Sequence, residues 1–312
     1  MRILFTGAGS FTGMWLSKQL ARASHEVAAV FPRPFEKYEG LRKERVDSVL
    51  ELCLPVFDSP FGSEQFLAML ETEGKFDMLC HHAADVYDYR NPNFNFSKAL
   101  ENNTKNIKEV LTLLQQRGCQ RVLLTGSVFE QKEGKGTDNL RAVSPYGLSK
   151  GLTSDTFQFF TSVMEMKLGK FVIPNPFGPY EEPRFTSHLA RSWFEGKVPT
   201  VSCPKYVRDN IHVSLLAKAY VGFAEQLTEN SGFETFNPSG YCECQGDFTE
   251  RFSREIGKRL SIPCPFTLDQ QVLFPEPKVR VNTDALDSKA LQWDESRAWD
   301  QLAAYYMERY GS

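Results

Sequence analysis

Over the first 125 residues, short apolar runs alternate with longer stretches of helical spacing. Ile3-Leu4-Phe5, Val27-Ala28-Ala29-Val30, Met78-Leu79-Cys80 and Val122-Leu123-Leu124 have the length and β-branched or apolar content of buried strands. Residues 14–22, 64–71 and 104–116 repeat their apolar side chains every three or four positions, the spacing of helices with one buried face. Strand–helix alternation with short connections predicts a parallel sheet covered on both faces. Right-handed crossovers make that sheet doubly wound, an α/β class. From about residue 170 the pattern breaks. Pro174, Pro176, Gly178, Pro179, Pro183, Gly196, Pro199 and Pro204 punctuate it, as in loops laid over a rigid scaffold. The last 70 or so residues read as short helices interrupted by Pro263, Pro265, Pro275 and Pro277. The expected division is a sheet domain over 1–170 and a smaller lobe over 171–312, with some segments of the lobe returning to the sheet.

Composition narrows the partners. The 312 residues are 41% hydrophobic and 24% charged, which excludes a disordered chain. A net charge of −3 without any Lys/Arg block argues against nucleic acid. No apolar run approaches the roughly 18 residues of a membrane span, and Met1-Arg2 leads directly into Ile3-Leu4-Phe5, too short for a secretory apolar region, so no secretory leader is expected. Seven Cys are widely scattered, and Cys242-x-Cys244 fits neither a zinc nor a redox spacing. Reduced thiols and a cytoplasmic location follow. The neighbours His81 and His82 face opposite sides of a strand, so they make no metal pair and no metal is expected.

Thr6-Gly7-Ala8-Gly9-Ser10-Phe11-Thr12-Gly13 follows the first strand and opens a helix. Gly7, Gly9 and Gly13 let the backbone turn tightly against a pyrophosphate. The helix N-terminus at Ser10, Phe11 and Thr12 supplies free N–H groups and partial positive charge. Sites of this kind that take NAD place a carboxylate at the end of the second strand. Here the strand runs into Phe31-Pro32-Arg33-Pro34. Arg33 suits a 2′-phosphate instead, so the cofactor is NAD or NADP with NADP favoured. Asp58 is placed to accept a hydrogen bond from an adenine amine.

Tyr146-Gly147-Leu148-Ser149-Lys150 puts a phenol and an ammonium on one helix face, one turn apart. A free phenol titrates near 10; a neighbouring cation lowers that value and makes the phenol a usable acid/base. The preceding strand ends Thr125-Gly126-Ser127. A hydroxyl there can position a reacting oxygen, Ser127 first and Thr125 as the alternative. Tyr87, Tyr89 and Arg90 follow a strand end where a loop can cover substrate. His188, after Arg184-Phe185-Thr186-Ser187, is a further pocket candidate.

These motifs, together with His81-His82-Ala83-Ala84, Asn103-Thr104-Lys105-Asn106, Asn175-Pro176-Phe177-Gly178-Pro179, Arg208-Asp209-Asn210-Ile211-His212-Val213 and Asn237-Pro238-Ser239-Gly240, resemble the extended short-chain dehydrogenase/reductase superfamily. Within it they resemble the NAD(P)-dependent nucleotide-sugar epimerase/dehydratase family. The resemblance implies a Rossmann fold and a soluble homodimer formed through the helices carrying 103–116 and 146–160. It implies a cofactor wall at His82, Ala83 and Ala84, with Asn103 and Pro174 also at the cofactor. Tyr146 becomes the acid/base, Lys150 its helper and ribose ligand, Asn175 a substrate contact and Arg208 the partner of a nucleotide-sugar diphosphate. The implied reaction is hydride transfer at a sugar carbinol or ketone, as epimerase or 4-keto reductase. Val128-Phe129 stand where 4,6-dehydratases carry an Asp-Glu pair, so elimination is not expected. Ser10 and Asn106 replace glycines of the family pattern. Two other readings remain: an NADP-dependent reductase of a non-nucleotide carbonyl, and a non-catalytic nucleotide-binding sensor or scaffold.

Overall fold

The computed structural model describes residues 1–86, 91–228, 230–271, 273–274 and 276–311. Tyr87, Tyr89 and Arg90 lie outside the described residues.

The first half alternates as the apolar runs predict. In order come β1 (Arg2–Thr6), α1 (Phe11–Arg22), β2 (Glu26–Val30), α2 (Gly40–Leu50), β3 (Leu54–Val56), α3 (Glu64–Thr72) and β4 (Met78–His81). Then follow α4 (Phe96–Thr104), α5 (Ile107–Gln116), β5 (Arg121–Ser127), β6 (Lys135–Gly136), α6 (Pro145–Val163), β7 (Lys167–Ile173), β8 (Asn175–Phe177) and α7 (Phe185–Phe194). The second half contains β9 (Thr200–Val201), β10 (Val207–His212), α8 (Val213–Gln226), β11 (Gly232–Phe236), β12 (Pro238–Ser239) and β13 (Tyr241–Cys244). It closes with α9 (Gln245–Leu260), β14 (Thr267–Leu268), β15 (Val279–Val281), β16 (Asp284–Ala285) and α10 (Glu295–Tyr310).

Seven parallel strands form the central sheet in the order β11-β7-β5-β4-β1-β2-β3. The chain reverses direction across the sheet between β1 and β4. In such sheets, ligands sit outside the C-terminal strand ends at this reversal. Thr6, His81 and Ser127 end β1, β4 and β5 there. One face buries Phe5, Met14, Leu16, Leu20, Phe171 and Tyr220 against α1 and α8; the other buries Leu4, Phe66, Val110, Leu114 and Phe157 against α3, α5 and α6. At about 25 cal/mol per Å² of apolar surface, two such faces supply the dominant favourable contribution to folding. A second sheet, β13-β10-β15-β6 with β8 on β10, carries the lobe. The lobe core is aromatic: Phe177, Trp193, Phe248, Phe252 and Trp299. Trp193 donates its indole N–H to Pro265 O at 2.8 Å.

Two expectations need correction. The helix read over 104–116 is broken: α4 ends at Thr104, and Asn106 takes the left-handed conformation (φ +50°) before α5 starts. Asn tolerates that region better than most side chains, which explains how it replaces a glycine there. The C-terminal helices are also not short, since α9 and α10 have 16 residues each. Their prolines fall between the helices, and Phe248, Phe252 and Ile256 recur every four positions to seat α9 on the lobe core.

Candidate active site

Local chemistry fixes the loop between β1 and α1. Gly7 has φ +81°, and a Cβ there would fall 2.7 Å from the Ala83 nitrogen. A Cβ on Gly13 would lie 2.1 Å from Gly7 O. Ser10 does not need glycine's freedom, because its φ is −81°. Its hydroxyl caps α1, accepting from Gly13 N at 3.0 Å and donating to Gly7 O at 3.0 Å. The first intrahelical bond runs from Met14 N to Ser10 O, so the first-turn amides of Phe11 and Thr12 lie ahead of it, open to an anion.

His82 ties this loop to β5. Its Nε2 lies 3.1 Å from Ser10 Oγ and 3.0 Å from Thr12 Oγ1, and its Nδ1 lies 3.1 Å from Thr125 Oγ1. The ring stacks on Phe5. Burial, reinforced by Lys150, pushes its pKa down to about 3, so the imidazole is neutral. His81 points the other way, as alternation along a strand requires. It is fully buried between Phe61 and Phe157, with Nδ1 3.0 Å from Thr6 Oγ1 and Nε2 3.2 Å from Asn103 O. Asn103 is a structural tie: its side chain donates to Thr153 and accepts from the Asp85 amide. Pro174 is buried between β7 and β8.

Helix α6 starts cleanly because Ser144 caps it and Pro145 fills its first turn. Tyr146 is half-buried in that turn, with the Phe94 ring edge-on at 6.1 Å. Lys150, one turn on, is buried and donates from Nζ to Thr125 O at 2.6 Å. Burial lowers its pKa to about 8, with Glu130 opposing the shift and Lys170 adding to it. Lys150 is therefore an ammonium at neutral pH. Thr125 is buried and its hydroxyl engages His82, whereas Ser127 is half-buried with Oγ accepting from Phe129 N at 3.2 Å. Ser127 thus keeps its hydroxyl proton to donate, which favours it over Thr125.

Beneath these groups lies a buried charge cluster that sequence reasoning did not find. Glu130 is fully buried, accepts from Ser127 N at 2.7 Å and pairs with Lys170 at 2.6 Å; Lys170 also meets Glu133 at 2.7 Å. Glu130 follows the end of β5 whereas Lys170 sits in the middle of β7, and no spacing rule links them.

The substrate side is mixed. Asn175 and Asn210 are register partners on β8 and β10, and each has a buried Nδ2 without a hydrogen-bond partner. Asn210 was not singled out from sequence, although its position two residues from Arg208 puts both on one strand face. Arg208 is buried and engaged: it pairs with Glu276 at 2.6 Å, donates to Val207 O and Pro277 O, and lies over the Tyr206 ring. His188 is exposed on α7 near Glu195. Arg33 and Asp58 are exposed and meet through their backbones, Asp58 N donating to Arg33 O at 3.2 Å. Phe31 holds the place of the missing carboxylate. It is fully buried, stacks on Phe57 at 4.8 Å, and its ring would touch a Cβ on Gly9 at 3.5 Å.

A doubly wound sheet, a glycine turn at its first strand end and a Tyr-x-x-x-Lys pair over the reversal point define an enzyme of the extended short-chain dehydrogenase/reductase type. Residues 3–237 match the model of the NAD dependent epimerase/dehydratase family. The chain belongs to that family. A UDP-glucose 4-epimerase from Thermotoga maritima, solved with UDP-glucose, shares 15% identity over 99% of both chains with a TM-score of 0.74. A UDP-glucuronic acid 4-epimerase variant from Bacillus cereus, solved with a fluorinated UDP-sugar and NAD, shares 17% over 99% of this chain and 100% of its own, with a TM-score of 0.75. A dTDP-glucose 4,6-dehydratase from Streptomyces venezuelae, solved with NAD, shares 16% over 100% and 98%, with a TM-score of 0.71. No curated protein matches the sequence. Among the described residues, no helix is long and apolar enough to cross a membrane.

Proposed function

We propose that this protein uses NAD or NADP, with NADP favoured, to move a hydride at a carbinol or ketone carbon of a nucleotide-activated sugar. The carrying observation is Lys150, buried one helical turn from Tyr146 and anchored on Thr125 O next to Ser127. The glycine turn and the open first turn of α1 fit a dinucleotide pyrophosphate. When bound, the nicotinamide supplies the hydride acceptor or donor. The rest is done by the chain. Tyr146 takes the proton from the substrate hydroxyl as the carbinol is oxidised, and returns one as a ketone is reduced. The Lys150 ammonium favours the phenolate during that exchange. Ser127 donates to the reacting oxygen, and His82, neutral and held by three hydroxyls, keeps loop and strand in register. Val128 and Phe129 follow Ser127, so no carboxylate pair stands there to drive a 4,6-elimination. Residues 1–170 carry the cofactor and 171–312 the substrate in this reading. Exposed Phe159 and Val163 on α6 support a homodimer through that helix, and seven free thiols support a cytoplasmic location.

The test is turnover on a panel of UDP- and dTDP-sugars with either dinucleotide. Tyr146→Phe should lower kcat by about 10²–10⁴ without changing dinucleotide affinity. Unchanged turnover in this variant would overturn the assignment. Cofactor retained through dilution assigns an epimerase; cofactor lost assigns a reductase. One observation favours a second reading, reduction of a carbonyl substrate that lacks a diphosphate: the Arg208 guanidinium is already occupied by Glu276. In that case Arg208→Ala leaves the KM for substrate unaltered.

A further inference from the structure

The turn that follows β5 carries a buried carboxylate that the proposed chemistry does not use. Glu130 is fully buried, and its two oxygens face different partners. Oε1 accepts from Ser127 N at 2.7 Å, and Oε2 faces the Lys170 ammonium at 2.6 Å. A proton on either oxygen would meet a donor, so Glu130 is a carboxylate even though burial pushes its pKa above the ordinary value. Its amide donates back to Ser127 O at 3.0 Å, which closes the turn. Gly126 leaves the room: a Cβ there would lie 2.7 Å from Lys170 Cε and 3.1 Å from Glu130 Oε1. The turn is also clamped from the lobe. Arg280 of β15, fully buried, donates to Val128 O and Glu130 O and pairs with Asp138. On its other side the turn abuts the start of α6. Val143 N donates to Phe129 O there, and a Cβ on Gly147 would lie 2.2 Å from that oxygen. Tyr146 is the residue before that glycine.

We propose that Glu130 is a positioning residue for the Tyr146–Lys150 pair: it fixes the Ser127 main chain and supplies the buried negative charge that keeps Lys150 an ammonium. The proposal rests on the roles given above to Tyr146, Lys150 and Ser127, and deepens them. The charges of the cluster balance. Lys150 and Lys170 bring two positive charges, and Glu130 and Glu133 two negative ones. Burial disfavours both ammoniums. Glu130 and Glu133 together outweigh it at Lys170, whereas Lys150 has only Glu130 in its favour and Lys170 against it. Without Glu130 the cluster holds one positive charge too many. Lys170 still has Glu133 at 2.7 Å, while Lys150 has only the Thr125 carbonyl, so Lys150 is the group that gives up its proton. Among the described residues, no other carboxylate acts on Lys150. From β4 come His81 and His82, both kept neutral by burial. Helix α4 meets α6 through Asn103 at Thr153, and α5 meets it beyond its last turn through Gln115 at Met164 O; neither side chain ionises.

The test reads the Lys150 proton directly, without cofactor or substrate. Lysine ¹³Cε resonances are titrated by NMR in wild type, Glu130→Gln, Glu130→Asp and Lys170→Met. The Lys150 signal is assigned by its loss in Lys150→Met, and thermal melts confirm that each variant folds. Wild-type Lys150 should titrate near 8. Glu130→Gln should lower that midpoint by about one unit or more, a tenfold loss of proton affinity. Lys170→Met removes the opposing cation and should raise it, and Glu130→Asp, which keeps the charge, should stay closer to wild type than Glu130→Gln. With UDP-glucose and either dinucleotide, the alkaline limb of kcat/KM should move with the Lys150 midpoint in each variant. A purely structural Glu130 would instead lower turnover at every pH and leave the limb in place. An unmoved Lys150 midpoint in Glu130→Gln, or a downward shift in Lys170→Met, would overturn the proposal and leave the proposed function standing. Should Glu130→Gln not fold, the upward shift in Lys170→Met, where Glu130 is left to Lys150 alone, still decides the matter. If the midpoints move in opposite directions while no nucleotide sugar is turned over with either dinucleotide, the hold of Glu130 on Lys150 stands and the proposed function falls.

Discussion

Replacing Lys150 with Met is expected to stabilise the folded protein near neutral pH while removing its chemistry. The side chain is 4% exposed, and burial, aided by Lys170 and opposed by Glu130, moves its pKa from the ordinary 10.5 to about 8. Between those values the unfolded chain binds more protons than the folded one, so stability rises with pH across that window. Below pH 8 the buried ammonium costs about 3 kcal/mol relative to its neutral form. Methionine has a similar length and no charge, so the variant escapes this cost. It forfeits the 2.6 Å bond to Thr125 O, and leaving that carbonyl without its partner costs about 1–3 kcal/mol. A net gain of about 1 kcal/mol should remain at pH 7. At pH 10 the wild-type lysine is mostly neutral, the gain has gone, and the variant should be the less stable by a similar amount. Urea unfolding at pH 7 and pH 10 reads the difference directly, since other titrating groups are common to both proteins. A stability difference that does not change with pH, or a variant weaker by more than about 1 kcal/mol at pH 7, would refute the reasoning. Turnover should fall by about 10²–10⁴ at either pH, a case of stability given up for function.

Gly13→Ala places a Cβ 2.1 Å from Gly7 O and 2.7 Å from Ser10 Oγ, so the loop and its cap must shift. Dinucleotide affinity should fall more than about tenfold and stability by about 1–3 kcal/mol, measured by calorimetry and urea melts; wild-type affinity would contradict the loop assignment. Glu181 is buried, accepts from Thr186 at 2.5 Å and Tyr306 at 3.1 Å, and burial raises its pKa from 4.5 to about 7. The folded state therefore holds an extra proton between those values. This contribution is fully present below pH 4.5 and lost as pH rises through 7, about 3 kcal/mol in all. Glu181→Gln should lack that slope, and parallel pH–stability curves for the two proteins would disprove the assignment.

Much of the scaffold could be read from patterning. Ile3-Leu4-Phe5, Val27 to Val30, Met78 to Cys80 and Val122 to Leu124 are buried strands because a parallel sheet covered on both faces favours near-continuous apolar runs. The glycine turn and Tyr146/Lys150 were legible because their geometry is local, set by one turn and one helical repeat. The break at Asn106 was missed because helical spacing continues across it. The lengths of α9 and α10 were missed because prolines between elements look the same as prolines within them.

The sequence by itself determined what depends on neighbours along the chain: the strand–helix alternation, the glycine turn before α1, and the phenol and ammonium on one face of α6. Only the tertiary structure decided what depends on distant segments meeting. It brought Glu130 and Lys170 together beneath Lys150, joined His82 to both the loop and Thr125, engaged Arg208 with Glu276, and put the Phe31 ring against Gly9. The physical reason is that burial and charge pairing are set by which strand ends the sheet order places side by side, and that order is a global outcome of packing.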